Sequence, residues 1–213
     1  MIEVIYPFPC ALGHRVEFRE ASSPLAVWAA PGYCSITART GNKHVSRMHK
    51  CGVVLVGHGG IPVDYPREAL TALKTLEAKR RATGGDATPE ELELDRRIRR
   101  WPRTPENDPY QAGLEALASH LKSSLNSDLF AIAYNEFCAP TVEEAVESLI
   151  AAGASEIRVV PSMFTPGGSH SELEIPETLA HLRAKHPGLD LRYAWPFDLT
   201  QVASMLAGQL NRF

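Results

Sequence analysis

The sequence predicts an α/β domain built on a four-stranded parallel sheet with helices on both faces. Three observations point there. Four short apolar runs, residues 53–56, 129–134, 157–160 and 189–194, alternate with segments of helical period. Successive runs are separated by a dozen or more residues, the length that a crossover between parallel strands needs. Three of the runs are followed by polar punctuation: Gly57-His58-Gly59-Gly60, Asn135-Glu136 and Gly168-Ser169-His170. Parallel sheets place their chemistry outside the carboxyl ends of the strands, where these residues fall.

Each element has its own signal. Residues 1–50 hold scattered Pro, Gly, Cys and His without a sustained period of 2 or 3.6. They are expected to form a poorly ordered N-terminal extension that the fold does not require, with Met48 opening directly onto the first strand. Residues 51–213 are the expected domain. Val53, Val54, Leu55 and Val56 form strand one, and Leu70, Leu73 and Leu76 mark a helix that Thr83-Gly84-Gly85 stops. Thr88-Pro89-Glu90-Glu91 has the form of a capping box with proline at the first helical position. It opens a second helix carrying Leu92, Ile98 and Trp101. Together these segments predict a helical insertion at about residues 66–105, because so long a stretch exceeds an ordinary βα connection. Leu114, Leu117, Leu121 and Leu125 mark the next helix face.

Strand two follows, then a second capping box, Thr141-Val142-Glu143-Glu144, and a helix striped by Val142, Ala145, Val146, Leu149 and Ile150. The third strand leads into a long loop over residues 161–176. A helix with Leu179 and Leu182 precedes the fourth strand, and Val202, Met205, Leu206 and Leu210 stripe the last helix as its buried face. A doubly wound, flavodoxin-like strand order is the economical arrangement of these units.

Bulk properties narrow the function. The 213 residues suit one domain with one hydrophobic core, and 44% hydrophobic with 22% charged residues is ordinary globular composition. A net charge of −3 gives no general attraction to nucleic acid or anionic membrane. No apolar run approaches the roughly 20 residues of a bilayer span, and no secretory signal pattern opens the chain. Cys10, Cys34, Cys51 and Cys138 form no CxxC pair, so reduced thiols and a cytoplasmic location are expected.

The candidate chemistry lies at the strand ends. His58 stands between glycines, which let the backbone turn and leave the imidazole reachable, although a histidine can also merely cap such a turn. Glu136 follows strand two among apolar neighbours, suited to proton exchange or metal capture, or else to capping a nearby helix. His170 sits in a Gly-rich loop. Two imidazoles and a carboxylate from three successive strands suit a divalent metal or proton transfer. Glu172 and Glu174 either accept hydrogen bonds from His170 or serve as favourable charges at a helix N-terminus; the helix role is the one assigned to Glu174. Cys138 is a soft ligand or, more ordinarily, buried packing. His120, His181 and His186 read as surface residues, while His14, His44 and His49 fall in the segment without assigned elements. Lys79, Arg80, Arg81, Arg96, Arg97, Arg99, Arg100 and Arg103 read as a solvated face offset by Glu77, Glu90, Glu91, Glu93 and Asp95. The alternative for this cluster is a grip on a polycarboxylate ligand.

From Gly52 to about Leu210 the chain resembles the class II chelatases, specifically the small sirohydrochlorin cobaltochelatase and ferrochelatase family. The matching stretches are Val54-Leu55-Val56-Gly57-His58-Gly59, then Glu136-Phe137-Cys138-Ala139-Pro140-Thr141-Val142-Glu143-Glu144, Val159-Val160-Pro161, and Gly168-Ser169-His170 through Ile175-Pro176. The resemblance implies ATP-independent insertion of Co²⁺ or Fe²⁺ into sirohydrochlorin, in cobalamin or sirohaem biosynthesis, with no cofactor beyond the substrate metal. His58 and His170 match the family's active-site histidines, and Glu136 matches a carboxylate used by some members. Trp195 and Phe197 would pack against the macrocycle or within the core. A homodimer is implied as well, since larger relatives enclose the macrocycle between two lobes. Two other readings keep histidines at strand ends: a chelatase for nickel or another tetrapyrrole, and a non-catalytic carrier of metal or tetrapyrrole.

Overall fold

The computed structural model describes residues 50–125, 127 and 129–213. The expected N-terminal extension, with His14, His44 and His49, lies outside the described residues except for Lys50, where the first strand begins. The elements run β1 (Lys50–Gly57), α1 (Arg67–Thr83), α2 (Pro89–Arg99), α3 (Pro109–Ser123), β2 (Leu129–Tyr134), α4 (Val142–Ala151) and β3 (Ala154–Pro161). A π-helical turn (His170–Glu174) leads into α5 (Ile175–Lys185), followed by β4 (Asp190–Tyr193) and α6 (Leu199–Leu210). The four strands form one parallel sheet in the order β2-β1-β3-β4. The chain is thus the expected α/β fold.

Alternation along β1 fills both faces of the sheet. Val54 and Val56 join Ile157 and Val159 under α4 and α5, against Val146, Leu149, Ile175, Leu179 and Leu182. Leu55 points the other way, to Leu114 and Ala118 of α3 and to Tyr134. Each such fully buried aliphatic side chain contributes about 1.5–3 kcal/mol. A separate small core of Tyr65, Leu73, Ile98 and Phe137 joins α1 and α2 to the loop after β2.

Local signals explain the helix ends. Thr141 and Glu144 exchange both bonds of a capping box, at 3.2 Å and 2.8 Å. At α2 only half of the expected box forms. Thr88 accepts from the Glu91 N–H at 3.2 Å, but the Glu91 carboxylate turns to Arg80 at 2.7 Å. Burial explains the choice, because Glu91 is 3% exposed and a buried carboxylate needs a charged partner.

Other expectations shift. In α3, Ala118 rather than Leu117 faces the sheet with Leu114, and Leu117 is 49% exposed. Positions four apart lie closer to one line along a helix than positions three apart, so a Leu-only stripe misplaced the seam. The α6 stripe is not a buried face: Met205, Leu206 and Leu210 are exposed, and the helix buries no residue among the described ones. α4 and α5 already cover one sheet face, and none of the α6 side chains enters the clusters on either. The basic cluster divides. Arg80 and Arg96 pair with Glu91 and Glu93, whereas Arg99 and Arg103 turn inward to main-chain carbonyls. Among the described residues, no helix is long and apolar enough to cross a membrane.

Candidate active site at the strand ends

Strand register carries His58 and Glu136 to the same place. Gly57 pairs with Tyr134 at the ends of β1 and β2. The pairing continues past both strands, with Asn135 N–H donating to Gly57 O at 2.9 Å and Glu136 N–H to His58 O at 2.8 Å. Gly59 makes this approach feasible. Its φ is +101°, and a Cβ there would stand 1.8 Å from the Glu136 carbonyl oxygen. From the other side, the His58 N–H donates to the Tyr110 hydroxyl at 2.7 Å.

His170 arrives on the loop after β3. The Ser171 hydroxyl donates to Met163 O at 3.3 Å, and the Tyr193 hydroxyl donates to Ser171 O at 2.9 Å. The His58 and His170 rings meet edge to face, with centroids 4.7 Å apart. His58 Nε2 lies 3.9 Å from the Glu136 carboxylate. One ligand atom each from His58, Glu136 and His170 all lie within 4.8 Å of one another. Donors on one cation at ~2.1 Å can be separated by up to ~4.2 Å, so slight closure would seat an ion.

Hydrogen bonds orient both rings. His58 Nδ1 lies 2.8 Å from Gly59 O, an acceptor, which places the proton on Nδ1 and leaves Nε2 free. His170 Nδ1 lies 2.9 Å from Glu174 Oε2, which also accepts from the Asn135 amide at 2.7 Å. Burial pushes the Glu174 carboxyl up, but the hydrogen bonds from His170 and Asn135 outweigh it and hold the carboxyl below its ordinary value. The Asn135 amide nitrogen also lies 2.8 Å from His170 Nδ1, so that nitrogen donates to Glu174 when it carries a proton and accepts from Asn135 when it does not. Both contacts are at Nδ1, which leaves Nε2 for a ligand.

Glu174 therefore orients His170, where the sequence assigned it a helix-terminus role. The π turn explains the difference, because it sets residues 170 and 174 side by side before α5 begins. Asn135 was visible as strand-end punctuation, but its partner lies 39 residues away. Burial and then the Glu136 charge hold the carboxyl of Glu77 in α1 above its ordinary value. Cys138 is fully buried, and burial pushes its thiol up to about 11, so it packs as a neutral side chain. His186 pairs with Glu147 at 2.8 Å, away from the cluster. Trp195 and Phe197 are half-buried and continue a series of ring contacts from Tyr193.

Two imidazoles and a carboxylate are thus gathered at the carboxyl edge of a parallel α/β sheet. The model of the CbiX family matches residues 106–210, and over that stretch the chain is similar to this family. Among curated relatives, a sirohydrochlorin ferrochelatase of Priestia megaterium is 25% identical over 97 residues, covering 45% of this chain and 36% of the relative. A sirohydrochlorin cobaltochelatase of the same organism is 31% identical over 68 residues, covering 32% of this chain and 22% of its own length. The chain thus spans about a third of the first relative and less of the second. The solved sirohydrochlorin chelatase SirB from Bacillus subtilis subspecies spizizenii, in complex with cobalt, aligns with a TM-score of 0.44 and 20% identity, over 69% of this chain and 43% of that one. A CbiX protein of Marinobacter aquaeolei VT8 aligns with a TM-score of 0.44 and 18% identity, over 76% and 99%.

Proposed function

We propose that this protein inserts a divalent metal, Co²⁺ or Fe²⁺, into sirohydrochlorin without ATP, in the route to cobalamin or to sirohaem. The observation that carries the reading is the trio His58, Glu136 and His170, with donor atoms within 4.8 Å of one another. The names of the Priestia megaterium relatives support the substrate.

Insertion of M²⁺ into a free-base macrocycle forms metal–nitrogen bonds and releases two pyrrole N–H protons. The site has to present the cation weakly and take up those protons. Two imidazoles and one carboxylate leave coordination positions open for handover, unlike a closed four-ligand structural site. In the tautomer that carries its proton on Nδ1, toward Gly59 O in His58 and toward Glu174 in His170, each ring keeps an Nε2 lone pair able to bind the cation first and a proton afterwards. Glu136 supplies negative charge beside His58 and a second kind of proton acceptor. Glu174 offsets the positive charge that His170 acquires on accepting a proton.

The protein is expected to act in the cytoplasm and as a homodimer, the second copy closing the cleft. Light scattering on purified protein tests the dimer. The activity is tested by anaerobic absorbance assays with sirohydrochlorin and Co²⁺, Fe²⁺ or Ni²⁺ in turn. Multiple turnovers with Co²⁺ or Fe²⁺ are expected. Stoichiometric binding without turnover would instead make the protein a carrier, and turnover with Ni²⁺ alone would reassign the metal.

A further inference from the structure

The loop that presents Glu136 is held in an unfavourable shape. Phe137 has φ 55°, in the left-handed region that a bulky residue rarely adopts. This turn places the Phe137 ring in the small core of Tyr65, Leu73 and Ile98, with its centroid 6.4 Å from that of the His58 ring, and leaves the Glu136 side chain beside His58. Such a conformation persists only where its surroundings over-determine it.

Two arginines supply that constraint. Arg99, the last residue of α2, donates to Cys138 O at 3.0 Å and Asn135 O at 3.3 Å, and its Nε pairs with Asp95 at 2.8 Å. Arg103 donates to Gly60 O at 2.9 Å and Ile98 O at 3.2 Å, and also to Phe137 O and the Asp108 carboxylate. Its side chain is 7% exposed and Asp108 is 1% exposed, so this pair is internal. The carbonyls of residues 135, 137 and 138 surround Glu136 on both sides, and Gly60 lies two residues beyond His58. The planar fork of a guanidinium can hold two carbonyls at once, which an ammonium cannot do in the same fixed geometry. Glu136 itself receives no hydrogen bond from either arginine, so its carboxylate stays available to the cleft.

We propose that Arg99 and Arg103 are positioning residues: by clamping the carbonyls around Glu136 and after His58, they fix the carboxylate at the distance from the imidazoles that a divalent cation needs. The proposal rests on the reading of Glu136 as a metal ligand. It also gives α1 and α2 a task at the site, since α2 carries Arg99 and both helices shape the pocket for Phe137.

The test uses Co²⁺ alone as the probe and the full chain, titrated anaerobically and followed by the visible absorption of the bound ion. Arg99 is the position to change, because loss of Arg103 would strand the buried Asp108 charge and endanger the fold. Arg99→Met should weaken Co²⁺ binding by about tenfold, the low end of effects from groups that orient metal ligands. Arg99→Lys should recover only part of it. Arg97→Met, which removes a cation stacked 5.9 Å from the Trp101 ring, should leave binding unchanged and serves as the stability control. In a cycle with Glu136→Gln, Arg99→Met should add no further loss, since it acts through that carboxylate. Unchanged binding in Arg99→Met, or losses that simply multiply with those of Glu136→Gln, would overturn the clamp while leaving Glu136 a ligand. Equal Co²⁺ binding by the unaltered chain and Glu136→Gln would overturn the ligand reading itself, and the clamp with it.

Discussion

The two halves of the candidate site are held by different means. On the side of His58 and Glu136, backbone does the work: strand pairing runs on beyond β1 and β2, Gly59 permits a close crossing, and arginines hold the carbonyls. On the side of His170, side chains do it: Glu174 and Asn135 hold the ring, while Ser171 and Tyr193 hold the turn. A backbone-held group has few alternative positions and suffers abruptly when its support is altered. A group held by side chains loses orientation by degrees. For a cation that has to be bound and then released, a fixed pair facing an adjustable imidazole is a workable division of labour.

The largest expected effect comes from the backbone half. Gly59→Ala puts a Cβ into the Glu136 carbonyl at a φ of +101°, so one loop must move. A loss of at least about 2 kcal/mol in urea unfolding is expected, with Co²⁺ binding abolished in whatever remains folded. A variant as stable as its parent would break the contrast. Next, His170→Ala should lower the insertion rate at least about tenfold, a barrier change of roughly 1.4 kcal/mol or more, with the melting temperature nearly unchanged. Full activity in both His170→Ala and His58→Ala would remove the site altogether.

A graded loss is expected from Glu174→Gln, because the amide still accepts from His170 Nδ1 but brings no charge. Co²⁺ affinity should fall by several-fold, toward the roughly tenfold that outer hydrogen-bond partners contribute, and stability should hold. An all-or-none loss would show that this half is as rigid as the other.

The smallest effect lies away from both halves. Hydrogen bonds from Lys185 and then His186 hold the Glu147 carboxyl below its ordinary value. A lowered folded-state value means stability that is present above the unfolded-state pKa and lost as pH falls through the folded one. Glu147→Gln should therefore flatten the acid side of the melting-temperature profile slightly, without touching metal binding. An unchanged profile would show that this exposed cluster contributes nothing.

Periodicity and punctuation alone determined much of this protein. Strands at the expected places, the Thr141 capping box and the strand-end positions of His58, Glu136 and His170 all follow from short-range rules, because alternation, caps and turns are local chemistry. The same rules misread Leu117, the α6 stripe and Glu174, whose environments depend on what the rest of the chain brings alongside. Only tertiary structure decided that Arg99 and Arg103 turn inward, that Phe137 adopts its left-handed turn, and that Asn135 meets Glu174. The long-range contacts among these join residues 34 to 43 positions apart. Their energies come from burial and from carbonyls that need donors, and neither exists until the sheet has formed.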